Sequence, residues 1–476
     1  MHRTTSLLVC LLLVIKAFAG SIDQKQAENQ AAAFIRLHNV SQSNRIVHTD
    51  KLTSPDDKAI GYLFTLSPHG FVVISGDDRL PPVIAYSFDN EPDDQGRFRG
   101  LLIKDLGNRI ANLKLESGEH KEENRQAWKE IIQHQLHDRI FQQWPPAGST
   151  TTGGWLETNW TQNAPYNALC PMDPVTGNRS IAGCPAVAMA QILNYHHTTN
   201  SVAFSDADDY FHNYAGRSYW IDDDADSLDF PDFPDLNSLI WNLSQDYLSG
   251  NPLSNSAKAS LVFACGVAAK QVFTSAASGT FGVSQAMAAY QKFNFTQCEL
   301  LDDSDTSLYT RIAQNMMDSM PVHLAVVNQN WTSGHNVVVD GYNTDGYFHL
   351  NFGWGGQANA WYLLPSQIPY GLTVIEGAIV DIIPNTLTAA VSPIPAAFRL
   401  YPNPAADMVR IDLNEGQEAI MKMFDANGRL VMSGQLMQST TNISLRGFGE
   451  GVYQVVVTGP GGITSRKLLI GMSSQR

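Results

Sequence analysis

Ala182-Gly183-Cys184-Pro185 opens a strongly helical run that continues Ala-Val-Ala-Met-Ala-Gln-Ile-Leu-Asn-Tyr195, so a glycine turn delivers a cysteine to a helix start. Pro185 suits the first helical position, where an N–H would have no partner in any case. A thiol there faces the positive end of the helix macrodipole and unpaired backbone N–H groups, which favour thiolate over thiol. That prepares a sulfur nucleophile. The bland reading of Cys184 is a small buried hydrophobe in front of a core helix. A thiolate also needs a partner that takes its proton and later returns it to a leaving group, brought close by the fold rather than by sequence. Ser333-Gly-His335-Asn-Val-Val-Val-Asp-Gly341 offers His335 at the mouth of an apolar strand. Gly334 and Gly341 allow close backbone approach, which makes Gly334 a candidate substrate contact. His196 and His197 sit at a helix end, suited to capping or solvent, and His349 lies within a strand, so they are weaker candidates for the base.

A third group usually orients the base. Phe348-His-Leu-Asn351-Phe-Gly-Trp354-Gly-Gly356 supplies two candidates, an amide at Asn351 and an indole at Trp354 that could cover the imidazole. Either could orient, and the same stretch also reads as a strand-to-strand turn with a core tryptophan. Attack on a carbonyl creates an oxyanion that needs donors, commonly a backbone N–H and a side-chain amide. The Cys184 N–H could be one and Gln162, in Asn159-Trp-Thr-Gln-Asn-Ala-Pro-Tyr-Asn167, the other, although on chemistry alone a surface glutamine is the simpler reading. Such chemistry requires no metal and no organic cofactor.

The elements that must position these groups are legible in outline. Gln24 to His38 reads as a helix with Ala31, Ala32, Phe34, Ile35 and Leu37 on or near one face. Gly61-Tyr-Leu-Phe-Thr-Leu and Gly70-Phe-Val-Val-Ile-Ser read as a hairpin, and a long helical stretch is expected from Leu101 to Trp144. Pro145-Pro-Ala-Gly-Ser-Thr-Thr-Thr-Gly-Gly154 can form neither helix nor useful strand; it reads as an exposed linker and the natural place for a cut. The block from Trp155 to about Pro384 holds most of the Trp, Tyr and Cys. Beyond it, Val409-Arg-Ile-Asp-Leu413, Lys422 to Val431 and Gly451-Val-Tyr-Gln-Val-Val-Val457, joined by Asn-Gly and Gly-rich turns, imply a small β-sandwich.

The chain has 476 residues, enough for two or three domains, and a formal net charge of −15 without any dense basic run, which argues against a nucleic-acid partner. Arg3, the apolar run Leu7 to Ile15 and Ala17-Phe-Ala19 form a signal peptide; a bilayer needs about 20 apolar residues, and no transmembrane segment is expected. Removing it leaves Cys170, Cys184, Cys265 and Cys298, too few for a disulfide-built scaffold; one pair, Cys265 with Cys298 first, could still join in an oxidising compartment. No CxxC pair suggests zinc. Asp222-Asp-Asp-Ala-Asp226 has the charge for calcium but lacks the glycine and distal glutamate of a calcium loop, so a solvated loop is expected.

Four ordered motifs resemble the streptopain family, a papain-like clan of bacterial cysteine proteases. They are Trp160-x-Gln162-x-x-Pro-Tyr-Asn167, the Gly183-Cys184-x-Ala-x-Ala-x-Ala-Gln-Ile-x-Asn-Tyr-His196 helix, Gly334-His335 followed by Asp340-Gly-Tyr342, and Asn351-Phe-Gly-Trp-Gly355. The separation of Cys184 and His335, about 150 residues, also resembles the loose spacing of papain-type enzymes, although the papain pattern Cys-Gly-Ser-Cys-Trp is absent. The resemblance implies that Cys184 is nucleophile, His335 general base and Gln162 oxyanion donor, and that Ser278, in Ser278-Gly-Thr280, lines the substrate cleft. Residues from about Ser21 to Trp144, with Gly70 to Asp78, are similar to the family's propeptide, which implies inhibition of the attached enzyme until cleavage. Tyr401-Pro-Asn-Pro404, Asp425-Ala-Asn-Gly-Arg-Leu430, Gly451-Val-Tyr453 and Arg466-Lys-Leu468 resemble the sorting domain read by type IX secretion machinery, which implies export through the periplasm to the medium or cell surface.

The expected fold class is α+β: a papain-like cysteine protease domain preceded by an α+β propeptide and followed by a small β-sandwich. The expected division is signal peptide 1–19, inhibitory propeptide 20–147, catalytic domain 148–385 and sorting domain 386–476. The expected activity is that of a secreted cysteine endopeptidase made as a zymogen, whose partners are protein and peptide substrates, its own propeptide and the secretion machinery. The rival reading is an inactive protease-like binding protein or a secreted protease inhibitor.

Overall fold

The computed structural model describes residues 20–38, 44–92, 97–114, 117–133, 141–328, 330–331, 334–364, 374–384, 398–413, 419–426, 429–437, 439–459 and 462–471. The segment expected to be a signal peptide, 1–19, lies outside them. The N-terminal region runs α1 (Gln24–His38), β1 (Arg45–Thr53), β2 (Ala59–Ser67), β3 (Phe71–Ser75), β4 (Val83–Ser87), α2 (Arg97–Asn112), α3 (Gly118–Gln133) and β5 (Gln143–Trp144). Its strands β2 to β4 are largely apolar and buried because both faces are covered, whereas the edge strand β1 is mostly polar and exposed. Along β3, Val72 and Ile74 pack with Phe34 and Ile35 of α1, while Phe71 and Val73 pack with Phe98, Leu102 and Leu106 of α2. The stretch expected to be helical from Leu101 to Trp144 is thus two helices and a strand. Ser117 caps the second helix by accepting from the His120 N–H at 3.1 Å, and Trp144 pairs with Tyr342 as a strand.

The middle region runs α4 (Cys184–Tyr195), β6 (Phe211–Tyr214), β7 (Arg217–Trp220), α5 (Phe233–Ser249), α6 (Asn255–Ala268), α7 (Val283–Lys292), β8 (Glu299–Leu301), α8 (Leu308–Met317), β9 (Val322–Val327), β10 (Gly334–Asn343), β11 (Tyr347–Asn351), β12 (Ala360–Leu363) and β13 (Val374–Val380). Helices α4 to α7 share one apolar core, and the sheet with α2 and α8 shares another. Strands of both regions form a single antiparallel sheet in the order β1-β2-β3-β4-β12-β11-β10-β9-β13-β8, with β5 beside β10. The junction is β4 on β12, Tyr86 opposite Trp361 and Ala85 opposite Tyr362. It is reinforced by bonds from the Tyr347 hydroxyl to the Val83 carbonyl at 2.8 Å and from the Asn343 amide to the Tyr86 hydroxyl at 2.9 Å.

The C-terminal strands are β14 (Phe398–Tyr401), β15 (Met408–Leu413), β16 (Ala419–Phe424), β17 (Leu430–Leu436), β18 (Thr440–Ser444), β19 (Gly451–Gly459) and β20 (Gly462–Ile470). They form two sheets, β14-β15-β18 and β17-β16-β19-β20. Inward residues of both, among them Val409, Ile411, Met421, Met423, Val455 and Leu468, share one core, as alternation along each strand requires.

Two further expectations change. The segment 145–154 is not an exposed linker: Pro145, Pro146, Ser149, Thr150, Thr152 and Gly154 are buried, with Gly148 and Thr151 exposed. It is held by bonds from the Asn90 amide to the Thr152 carbonyl at 3.0 Å and from Thr152 Oγ1 to the Leu156 carbonyl at 2.6 Å. Its composition excludes regular structure but says nothing about burial. Cys265 and Cys298 do not pair, and both are buried free thiols; Cys298 donates to the Phe295 carbonyl at 3.0 Å. The acidic stretch 222–226 is largely solvent-accessible, as expected, and two of its carboxylates also bind backbone, Asp222 accepting from the N–H of Phe233 at the start of α5 at 2.6 Å and Asp224 from that of Trp220 at the end of β7 at 2.7 Å.

Candidate active site

Cys184 is the first residue of α4, after Gly183 at φ +87° and with Pro185 in the first turn. The helix behind it is buried from Pro185 to Leu193, so its N-terminus is rigidly placed, while Cys184 as a residue remains only partly buried. A side chain at position 183 would lie 3.1 Å from the Ser278 carbonyl; only glycine allows both the turn and this approach.

His335 is the second residue of β10, opposite Val326 of β9, and is 7 % exposed. Its Nε2 is 2.9 Å from the Phe352 carbonyl oxygen. A carbonyl only accepts, so Nε2 carries the hydrogen and Nδ1 is left for the thiol. Desolvation pushes the Cys184 thiol up, but the charge and hydrogen bond of His335, with the main-chain N–H and amide of Asn336, outweigh it and leave the thiol below its ordinary value. Burial drives the other three thiols the opposite way, Cys170 up to about 12. A thiolate-favouring environment among the described cysteines is therefore particular to position 184.

Trp354 lies on the imidazole of His335. Asn351 does not reach it. Its amide donates to the Thr158 carbonyl at 2.8 Å, and its Oδ1 accepts from the Gly353 N–H at 3.0 Å and from Gln191 Nε2 at 3.2 Å. Gln191 belongs to α4, so Asn351 ties the helix that begins at Cys184 to the loop whose carbonyl holds His335. Gln162 is brought alongside by its own carbonyl, which accepts from the Ala182 N–H at 2.8 Å, two residues before Cys184. Ser278 spends its hydroxyl on its own loop, donating to the Thr274 carbonyl at 3.0 Å and accepting from the Thr274 N–H at 2.9 Å; its carbonyl is what faces Gly183. Buried Asp173 anchors that loop through the Ser275 N–H and hydroxyl, each at 2.9 Å. Gly334 opens β10 and is exposed.

The other histidines are elsewhere. His196 and His197 follow α4 at its far end, about 18 Å from Cys184 at 1.5 Å per residue. His349 is buried against Asp340, with Nδ1 2.6 Å from Oδ1. Sequence reasoning missed Asn336 and His323, whose only signal is polarity inside the apolar runs Val322–Val327 and Gly334–Asn343.

Residues 160–362 match the Peptidase C10 family, residues 19–102 the Spi protease inhibitor family, and residues 399–471 the secretion system C-terminal sorting domain. The chain is 24% identical over 398 residues to the thiol protease/hemagglutinin PrtT of Porphyromonas gingivalis, covering 75% of this chain and 40% of that protein's length. It is 22% identical over 379 residues to streptopain of Streptococcus pyogenes, covering 75% of this chain and 88% of that one. A solved fragment of prointerpain A from Prevotella intermedia aligns at TM-score 0.48 with 21% identity, over 72% of this chain and 99% of that one.

Proposed function

We propose that the chain, whose residues 160–362 match the Peptidase C10 family, is a secreted cysteine endopeptidase made as a zymogen, with Cys184 as nucleophile and His335 as general base. The observation that carries this reading is the imidazole fixed through Nε2 on the Phe352 carbonyl while it lowers the pKa of a thiol at a helix N-terminus. The Cys184 thiolate attacks the peptide carbonyl, forming a carbon–sulfur bond and an oxyanion that faces the Cys184 N–H and the Gln162 amide. As the carbon–nitrogen bond breaks, His335 gives its Nδ1 proton to the leaving amine. Water then adds to the thioester with His335 taking its proton, and collapse releases the acid and restores the thiolate. Ser278 and Gly334 offer main-chain groups to the substrate beside the sulfur.

The division 20–147, 148–385 and 386–476 gives each step its part. The N-terminal region, similar to a protease inhibitor family, restrains the attached enzyme until the chain is cut within 145–154. The sorting domain engages the secretion machinery and carries the protein through the periplasm to the medium or cell surface.

Casein cleavage by the purified precursor, followed by gel and mass spectrometry beside a Cys184→Ala variant, tests this. The wild type is expected to trim itself between Trp144 and Trp155 and gain activity while the variant stays whole and inert. A precursor that remains inert after its N-terminal region is removed by added protease would sink the peptidase reading.

A further inference from the structure

Asn336 follows His335 on β10, and its Nδ2 lies 3.9 Å from the Cys184 sulfur. The other end of the same amide, Oδ1, is 2.7 Å from Nε2 of His323 on the paired strand β9. His323 is fully buried, and its Nδ1 is 3.2 Å from the hydroxyl of Tyr290, a buried residue of α7. A continuous run of polar contacts therefore leads from the interior of the helical layer to the Cys184 sulfur.

The donor directions follow from charge. Burial pushes the His323 imidazole down to about 4, so near neutrality one ring nitrogen donates and the other accepts. With the Tyr290 hydroxyl donating to Nδ1, Nε2–H donates to Asn336 Oδ1, and the amide must turn its NH2 toward Cys184. The opposite setting would aim the Asn336 carbonyl at the sulfur, which a thiolate repels. We propose that Tyr290, His323 and Asn336 form a relay that presents an amide N–H to the Cys184 thiolate and supports its charge independently of His335. Asn336 touches the reacting atom; His323 and Tyr290 are positioning residues. The proposal rests on Cys184 being the nucleophile. The titratable neighbour of the sulfur is His335; the Gln162 segment and the loop Thr274 to Gly279, packed beside it, bring no charged side chain.

The test is the pH profile of Cys184 alkylation by iodoacetamide in protein activated from the full chain, quantified on the Cys184 peptide by mass spectrometry, beside steady-state kinetics. Asn336→Ala is expected to move the profile up by about one pH unit and to lower kcat about tenfold with KM nearly unchanged, as loss of one charge-assisted hydrogen bond implies. His323→Phe should move it the same way, and His323→Gln, which keeps a donor for Oδ1, should return it toward wild type. If His323→Phe does not fold, Tyr290→Phe removes only the hydroxyl and must still move the profile upward. An Asn336→Ala profile that overlays wild type, or His323→Phe and His323→Gln shifting alike, overturns the relay while leaving the peptidase reading intact. Activity that survives Cys184→Ala would instead remove the nucleophile, and the relay with it.

Discussion

The imidazole of His335 lies nearly flat against the indole of Trp354, ring centroids 4.6 Å apart and planes 25° from parallel. The indole covers one face of the imidazole, so water cannot reach the ring from that side. A stacked ring also favours the imidazolium that the proposed mechanism forms on His335.

Trp354→Ala should therefore lower kcat by roughly tenfold with little change in KM, while Trp354→Phe keeps most of the rate, because the cover is lost in one and thinned in the other. Steady-state kinetics on a peptide substrate reads this directly; an unchanged kcat in Trp354→Ala would remove the indole from the mechanism.

Asn351 acts at one remove, through the Gly353 N–H and Gln191. Its loss strands buried polar groups on both sides, so Asn351→Ala should destabilise the fold by about 2 kcal/mol. The urea midpoint measures it, and a midpoint equal to wild type would contradict the network.

Gly154 has no room for a side chain: a Cβ there would sit 2.1 Å from Asp340 Oδ2, a carboxylate itself held by the Leu156 N–H and by His349. Gly154→Ala should release the segment 145–154 from its buried seat and speed its cleavage by an added protease at least severalfold. Equal cleavage rates in variant and wild type would mean the segment opens without leaving Asp340.

Acid should weaken the fold through His323. Its folded pKa, about 4, lies below its ordinary 6.5, so between those values the unfolded chain holds the proton and the folded chain does not. Stability then falls as pH drops from about 6.5 to about 4, at up to about 1.4 kcal/mol per pH unit for this group. His323→Gln should flatten that part of the curve, measured as thermal midpoint against pH; a slope unaltered by the substitution would assign the loss to other groups.

How far the sequence carried depended on whether the signal was local. Gly183-Cys184-Pro185 announces a helix start, and α1 begins and ends at Gln24 and His38 as its periodicity requires. His335 was visible because glycine flanks it at the head of an apolar strand. Its acceptor was not, since a main-chain carbonyl at Phe352 carries no residue-type signature and left Asn351 and Trp354 as alternatives. Asn336 and His323 meet only through the register that sets Val338 opposite His323. The partner of β4 was equally hidden, because a pairing between Tyr86 and Trp361 has no trace in either segment alone.

On the proposed cleavage, that last pairing gives maturation two clocks. A cut within 145–154 breaks one covalent bond but leaves β4 hydrogen-bonded to β12, the Tyr347 and Asn343 side chains bound to the N-terminal region, and Phe98, Leu102 and Leu106 in the common core. The severed piece thereby becomes a tightly held ligand, and its departure is a separate first-order event whose rate owes nothing to the cutting enzyme. Release bares β12 as an open strand edge, a backbone template that any extended peptide can join.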